Sequence, residues 1–302
     1  MARPDPTMPP EIFDRAALRR HRARAAKLGA RAAAGGADPG FLYREGAERL
    51  WDRLGDIKRS FTRALDLDSR DPFLRRQLAA AGIETVAAGD NTGLTLDLEA
   101  LPFAAATFDL VTSSLSLHWV NDLPGTLLQL RYILKPDGLL LVNLFAGETL
   151  EALRIALLEA ESEIENGASP RVSPFADARD LAALLQRAGF ALPVVDCDRL
   201  TVDYPDAWTL MRDLRAMGET NAAMLRRRHF TRRATLWRAA EIYAQRFGDA
   251  KGRIPAIFDI VTLTAWAPHA SQPRPLRPGS AAARLADALG TTERPAGDKA
   301  AP

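Results

Sequence analysis

Cysteine is nearly absent from this chain. Cys197 is the only one in 302 residues, so no internal disulfide can form, and a reducing compartment is expected. Lysine is scarce too: Lys27, Lys58, Lys135, Lys251 and Lys299 stand among 40 basic residues. With the many alanines, that bias reads as GC-rich codon usage rather than chemistry. A net charge of only +2 offers no global field for nucleic acid. No apolar run approaches the roughly 18 residues needed to span a bilayer. His21, His118, His229 and His269 show neither mutual ligand spacing nor a cysteine partner, so no metal site is expected. There is no Gly-x-Ser-x-Gly elbow and no phosphate loop. No secretory apolar segment opens the chain, and Asp5, Glu11 and Asp14 weigh against an arginine-rich transit segment. A bacterial cytoplasm is the expected compartment.

What is present follows an alternating pattern. Residues 1–10 are proline-rich and expected to be loose. A basic helix is expected from Glu11, carrying Arg15, Arg19, Arg20, Arg22, Arg24 and Lys27. It reads either as a solvated face or as an arm for an acidic partner or membrane headgroups. Ala47, Leu50, Trp51, Leu54 and Ile57 recur at helical spacing and predict core contacts. Ala64–Leu67 predicts a first buried strand, 72–81 a helix, Glu84–Ala88 a short strand, and Phe108–Leu117 a further strand. A helix over Leu123–Leu134, a sharp turn at Lys135-Pro136-Asp137-Gly138 and an apolar strand over Leu139–Phe145 follow. Helices are expected over 148–164 and 178–188, with two strand-like runs within Ala191–Tyr204. The division is then 1–40, basic helix and linker; 41–204, α/β domain; 205–268, helical extension; 269–302, a Pro/Ala-rich tail, partly disordered.

In an open parallel sheet, ligands lie beyond the carboxyl ends of the strands. Three features there resemble the class I S-adenosylmethionine-dependent methyltransferases. Asp97 lies four residues before Leu101-Pro102-Phe103, Phe108-Asp109-Leu110-Val111 opens a central strand, and Leu134-Lys135-Pro136-Asp137-Gly138 precedes the next. The stretch from Ser113 to Pro124, SSLSLHWVNDLP, resembles the methyltransferase-like assembly factors of respiratory complex I. Their mitochondrial members are described as protein arginine hydroxylases. The match continues through Ile12-Phe13-Asp14-Arg15, Gly147-Glu148-Thr149-Leu150, Ser173-Pro174-Phe175, Arg187-Ala188-Gly189-Phe190, Met217-Gly218-Glu219-Thr220-Asn221, Ser271-Gln272 and Gly279-Ser280-Ala281.

This resemblance implies a doubly wound, mostly parallel Rossmann-like α/β sheet with N-terminal helices and a C-terminal helical region. It implies S-adenosylmethionine as cofactor, held by Asp66, Asp90, Asp97, Leu98, Ser114 and Leu115. His118 and Trp119 would stand on the substrate side as catalytic candidates, or pack at a strand end. Asp66 would hold the ligand's amino group, or cap a turn. The partner implied is a complex I subunit exposing an arginine, met by Glu148, Asp196, Asp198 or Glu219, with work at the inner face of a membrane. A scaffold that has lost the cofactor is the alternative. Its basis is the loop after the first strand, where the family carries glycines and this chain has Asp68-Ser69-Arg70-Asp71-Pro72. The stretch from Asp68 to Leu101 is also short, as though one helix were missing.

Overall fold

The computed structural model describes residues 11–34, 38, 40–89, 92, 94–273 and 284–292. It divides into two units, residues 1–268 and 269–302. The second contains α9 (Leu285–Leu289). The terminal residues expected to be loose, the linker glycines Gly35 and Gly36, Asp90 and Gly279-Ser280-Ala281 lie outside the described residues.

The first unit is built on one six-stranded sheet in the order β2-β1-β3-β4-β6-β5. β1 (Arg63–Leu67), β2 (Glu84–Ala88), β3 (Phe108–Ser114) and β4 (Leu134–Ala146) run parallel. β6 (Ile254–Trp266) enters antiparallel to β4, and β5 (Ala191–Tyr204) antiparallel to β6. The central strands are apolar on both faces, as a covered sheet requires. Leu140, Val142 and Leu144 of β4 join one core with α4 (Leu123–Ile133) and α6 (Ala178–Arg187). Leu139 and Leu141 point the other way, toward α2 (Phe41–Gly55) and α3 (Phe73–Ala80). Further along the same face, Phe145 meets α5 (Glu151–Glu165), α7 (Ala207–Met217) and α8 (Arg233–Phe247). Each fully buried leucine contributes about 1.5–3 kcal/mol.

Several expectations change. Residues 205–268 contain α7 and α8 but are not a helical extension throughout, because β6 lies inside the sheet. There it pairs with β4 on one side and β5 on the other, so the sheet cannot close at residue 204. Lys135-Pro136-Asp137-Gly138 is a bulged stretch of β4 rather than a turn ahead of it: Leu134 pairs with Phe108 and Leu139 with Leu110. Residues 191–204 form one strand, not two runs, because β6 supplies partners along most of it. β3 ends at Ser114, and Leu117–Trp119 make a separate 3₁₀ turn. Between β2 and β3 the described residues carry isolated bridges and no helix, as the short spacing implied.

α1 (Arg15–Ala34) differs most from a free basic helix. Asp14 accepts a hydrogen bond from the Ala17 amide and caps its start. Asn121 Oδ1 accepts from the amides of Ile12 and Phe13 at 2.8 and 2.7 Å, and Asp14 pairs with Arg226 at 2.8 Å. These anchors lay the helix across the carboxyl ends of the strands, with Ala17, Leu18, Arg22 and Ala25 buried.

Candidate functional site

The loop after β1 is tightly bonded and carries an unusual backbone. Asp68 has φ +55°, a conformation that suits glycine, and the strain of holding such a residue there is about 1–3 kcal/mol. Arg22 Nη1 of α1 lies 2.9 Å from Asp68 Oδ2, with both side chains 6% exposed or less. Asp66 is fully buried: Ser69 Oγ donates to one oxygen, and Thr112 Oγ1 approaches it at 3.4 Å. Burial raises Asp66 to about 6, only partly offset by Ser69. Ser114 and Leu115 are buried under α2, where Gly46 allows a close approach. A Cβ on Gly46 would fall 2.9 Å from Leu115 Cδ1 and 3.0 Å from Ser114 Oγ. Asn143 fixes this contact, donating to the Gly46 carbonyl at 2.8 Å and accepting from the Leu115 amide at 3.1 Å. Ser114 and Leu115 are therefore packing residues rather than walls of a cleft. Asp97 and Leu98 do border an open cleft of about 390 Å³, but Arg15, Arg19 and Arg22 form its opposite side. Arg15 Nη1 donates to Asp97 at 2.7 Å, and its other nitrogen meets Glu99. Asp97 stays below its ordinary range because the Glu99 amide and Arg15 outweigh its desolvation.

His118 and Trp119 converge on a residue 100 positions away. α7 ends at Gly218, whose φ of +88° turns the chain sharply and delivers Glu219 beneath the sheet's end. The Glu219 carboxylate accepts from Tyr43 Oη at 2.6 Å and from Trp119 Nε1 at 3.1 Å. His118 Nε2 donates to the same group at 3.1 Å, in the tautomer that an ionised carboxylate selects. Burial would push Glu219 upward; His118, Tyr43 and Arg70 outweigh it and hold the group below its ordinary value. The result is a buried carboxylate whose ionised form is favoured by the donors around it.

Glu219 and Trp119 form part of the wall of a cavity of about 250 Å³, lined largely by apolar and aromatic side chains that include Phe145, Phe175 and Phe258. The strap 169–175 closes one side. Arg171 and Ser169 bind Glu161 at 2.7–3.1 Å, and Glu161 is held at about 2 because they outweigh its burial. The other acids expected to meet an arginine already have one. Asp196 and Asp198 pair with Arg53, and Glu148 pairs with Arg199 at 2.6 Å. Tyr43 carried no sequence signal. Glu219 carried one, the Gly218-Glu219-Thr220-Asn221 motif, without an indication of what it would face. Among the described residues, no three His, Cys, Asp or Glu side chains gather as a metal ion would need.

Residues 44–193 match the family described as a methyltransferase domain. A crystal structure of a methyltransferase-type protein from Bacillus halodurans superposes with TM-score 0.50 at 16% identity, over 74% of this chain and 99% of that one, which shows the fold. Malonyl-[acyl-carrier protein] O-methyltransferase of Gallionella capsiferriformans is 32% identical over 276 residues, covering 83% of this chain and 91% of that protein. The mitochondrial arginine-hydroxylase NDUFAF5 of Danio rerio is 38% identical over 291 residues, covering 91% of this chain and 89% of that protein. The chain belongs to the methyltransferase-like NDUFAF5 family.

A methyltransferase domain implies S-adenosylmethionine as cofactor. A ligand over the β1 loop would bring its methionine carboxylate to Asp68 and Asp71, and Arg22 already occupies the cationic position against Asp68. Asp66 is sealed, Ser114 and Leu115 lie under α2, and among the described candidates Asp97 and Leu98 border open space. The acids of the β1 loop are thus already paired or sealed, while the cleft beside Asp97 and Leu98 is open and walled by arginines. The apolar cavity and the carboxylate beside it remain.

Proposed function

We propose that this chain receives an arginine side chain of a respiratory complex I subunit in the cavity beside Glu219, and so takes part in modifying that arginine during assembly. The supporting observation is the ionised Glu219 carboxylate at an apolar, aromatic cavity. An arginine places methylenes along an apolar wall, a planar cation against aromatic faces, and nitrogens toward a carboxylate. Tyr43 and His118 each bind one oxygen of the carboxylate and Trp119 Nε1 spans both at 3.4 and 3.1 Å, so a guest guanidinium would approach Glu219 from the cavity side and compete with the long Trp119 contact. In this reading His118 and Trp119 act by positioning Glu219, and Trp119 also touches the guest. The name of the relatives, arginine hydroxylase, agrees with an arginine as target.

The chain's compartment in this proposal is a bacterial cytoplasm, with work at the inner face of the membrane where complex I subunits are added. No helix among the described residues is long and apolar enough to cross a membrane. A second reading, retention of the subunit without turnover, is favoured by the loop at Asp68.

Fluorescence anisotropy with short arginine peptides from complex I subunits tests the recognition, with lysine substituted in the controls. Arginine peptides should bind, and Glu219→Gln should weaken them about tenfold or more, the size of one charge-assisted hydrogen bond. Equal binding of lysine peptides, or an unaffected Glu219→Gln variant, would refute it. A deletion strain should lose complex I selectively. If it does so while the bound arginine is unmodified in wild type, retention replaces modification.

A further inference from the structure

We propose that α1 supplies the cationic partners of the strand-end acids, with Arg22 on Asp68 and Arg15 on Asp97 and Glu99, and leaves beside Asp97 a cleft of about 390 Å³ walled by arginines, so that this chain does not bind S-adenosylmethionine. The ion-paired residues Arg15, Arg22, Asp68, Asp97 and Glu99 lie outside the arginine pocket.

Three observations carry it. The first is charge. The cofactor presents a sulfonium and an ammonium near the strand ends, and acids at that end of the fold serve such cations. Here Asp68 meets the Arg22 guanidinium at 2.9 Å in a nearly sealed position, and Asp97 meets Arg15 at 2.7 Å. The second is backbone. Asp68 holds the left-handed conformation with a side chain attached, and the Ser116 hydroxyl donates to its carbonyl. The loop is thereby locked in a shape whose inner surface carries a carboxylate instead of open space. The third is anchoring. α1 does not rest on the cleft as a loose lid. Asn121 holds the amides before it, Phe13 pairs with Ala223, and His21 Nδ1 meets the Thr220 carbonyl at 3.0 Å. The Phe13 ring packs edge-on against Trp119 at 5.3 Å. A cofactor seated on the β1 loop would have to displace Arg22 from Asp68, and this anchoring keeps the helix from yielding.

The same contacts suggest what was exchanged. In a cofactor-dependent protein the helix over this cleft must open to admit its ligand. Here the cationic partner is covalently part of the chain, present at all times and at no cost in binding entropy. The strand ends are thus organised permanently.

Isothermal titration calorimetry of the full chain with S-adenosylmethionine and S-adenosylhomocysteine is the direct test. Hydrogen exchange of α1 is measured alongside it. Wild type should give no saturable heat up to about 1 mM ligand, and α1 protection should not change. The Arg22→Ala/Asp68→Gly variant, confirmed folded by circular dichroism, should bind at least about tenfold more tightly than wild type. One-to-one binding by wild type below about 10 μM would overturn the proposal, as would altered α1 exchange on ligand addition. A folded double variant with no gain would overturn the role given to this ion pair.

Discussion

Replacing Arg22 by alanine removes the cation from a pair in which both side chains are almost sealed from solvent, 2.9 Å apart. Truncating one partner of such a pair is much more costly than replacing both, because the remaining charge keeps its desolvation penalty. The expected loss is about 3–5 kcal/mol for Arg22→Ala. Asp68→Gly leaves the guanidinium facing a cavity but relieves the left-handed strain at φ +55°, so its net cost should be smaller by about 1–3 kcal/mol. The double variant removes both charges and the strain. It should therefore be less destabilised than the sum of the singles, with a coupling of about 2–3 kcal/mol. Urea denaturation followed by circular dichroism reads this as shifts of midpoint at constant slope. Additivity within about 0.5 kcal/mol would refute the pair as a buried unit. So would an Arg22→Ala cost below about 1 kcal/mol, which is what an exposed surface pair gives.

Trp119→Ala should cost about 3–5 kcal/mol, since the indole is buried against Phe13, Leu18 and Ala222; a thermal melt close to wild type would return it to an open cleft. Gly46→Ala should cost about 1–3 kcal/mol by overpacking on Leu115 and Ser114, and an unchanged denaturation midpoint would show that α2 can yield there. Asp66 is raised by burial to about 6 against an ordinary 3.8, so the native state holds a proton that the unfolded chain has released between those values. Its contribution is therefore intact below about pH 4 and is lost as the pH rises through about 6. Asp66→Asn should gain about 3 kcal/mol relative to wild type between pH 4 and pH 7, and an equal difference at both would refute the assignment.

Much of the sheet is legible in local pattern. Glu84–Ala88, the apolar run ending at Phe145 and the helix after Asn121-Asp122 are set by runs and caps within a few residues of themselves. β6 is harder to place because its partners lie far off in the chain, although Ile257, Ile260, Val261, Thr262 and Thr264 carry ordinary strand chemistry. The candidate site divides the same way. His118 and Trp119 stand out in sequence because the motif around them is dense. Their partner is chosen by tertiary geometry: Tyr43 and Glu219 meet across 176 positions, through a helix end that only Gly218 makes possible. Ser114 and Leu115 mislead because a strand end reads the same whether a ligand or a helix covers it. Arg22 misleads because a basic helix gives no sign of which of its arginines will be buried.

Trp119 joins the two halves of this argument. It lines both the cleft beside Asp97 and the cavity beside Glu219, so one indole separates the strand-end cleft from the proposed arginine side. Its edge contact with Phe13 ties it to the segment that leads into α1, and its Nε1 proton ties it to Glu219. In a cofactor-binding protein, the ligand's own surface would buttress that side of the partition. Here the buttress is Phe13, Ala17 and Leu18. Without that buttress the indole would be free to rotate and Glu219 would lose one of its three donors, keeping Tyr43 and His118. Packing the segment before α1 and its first turn against Trp119 keeps the carboxylate aimed at its cavity. A carboxylate side chain at position 68 and the Trp119–Glu219 contact are thus compatible features of one structure: in the two proposals, the strand ends are paired within the chain while the geometry that would receive a side chain is kept.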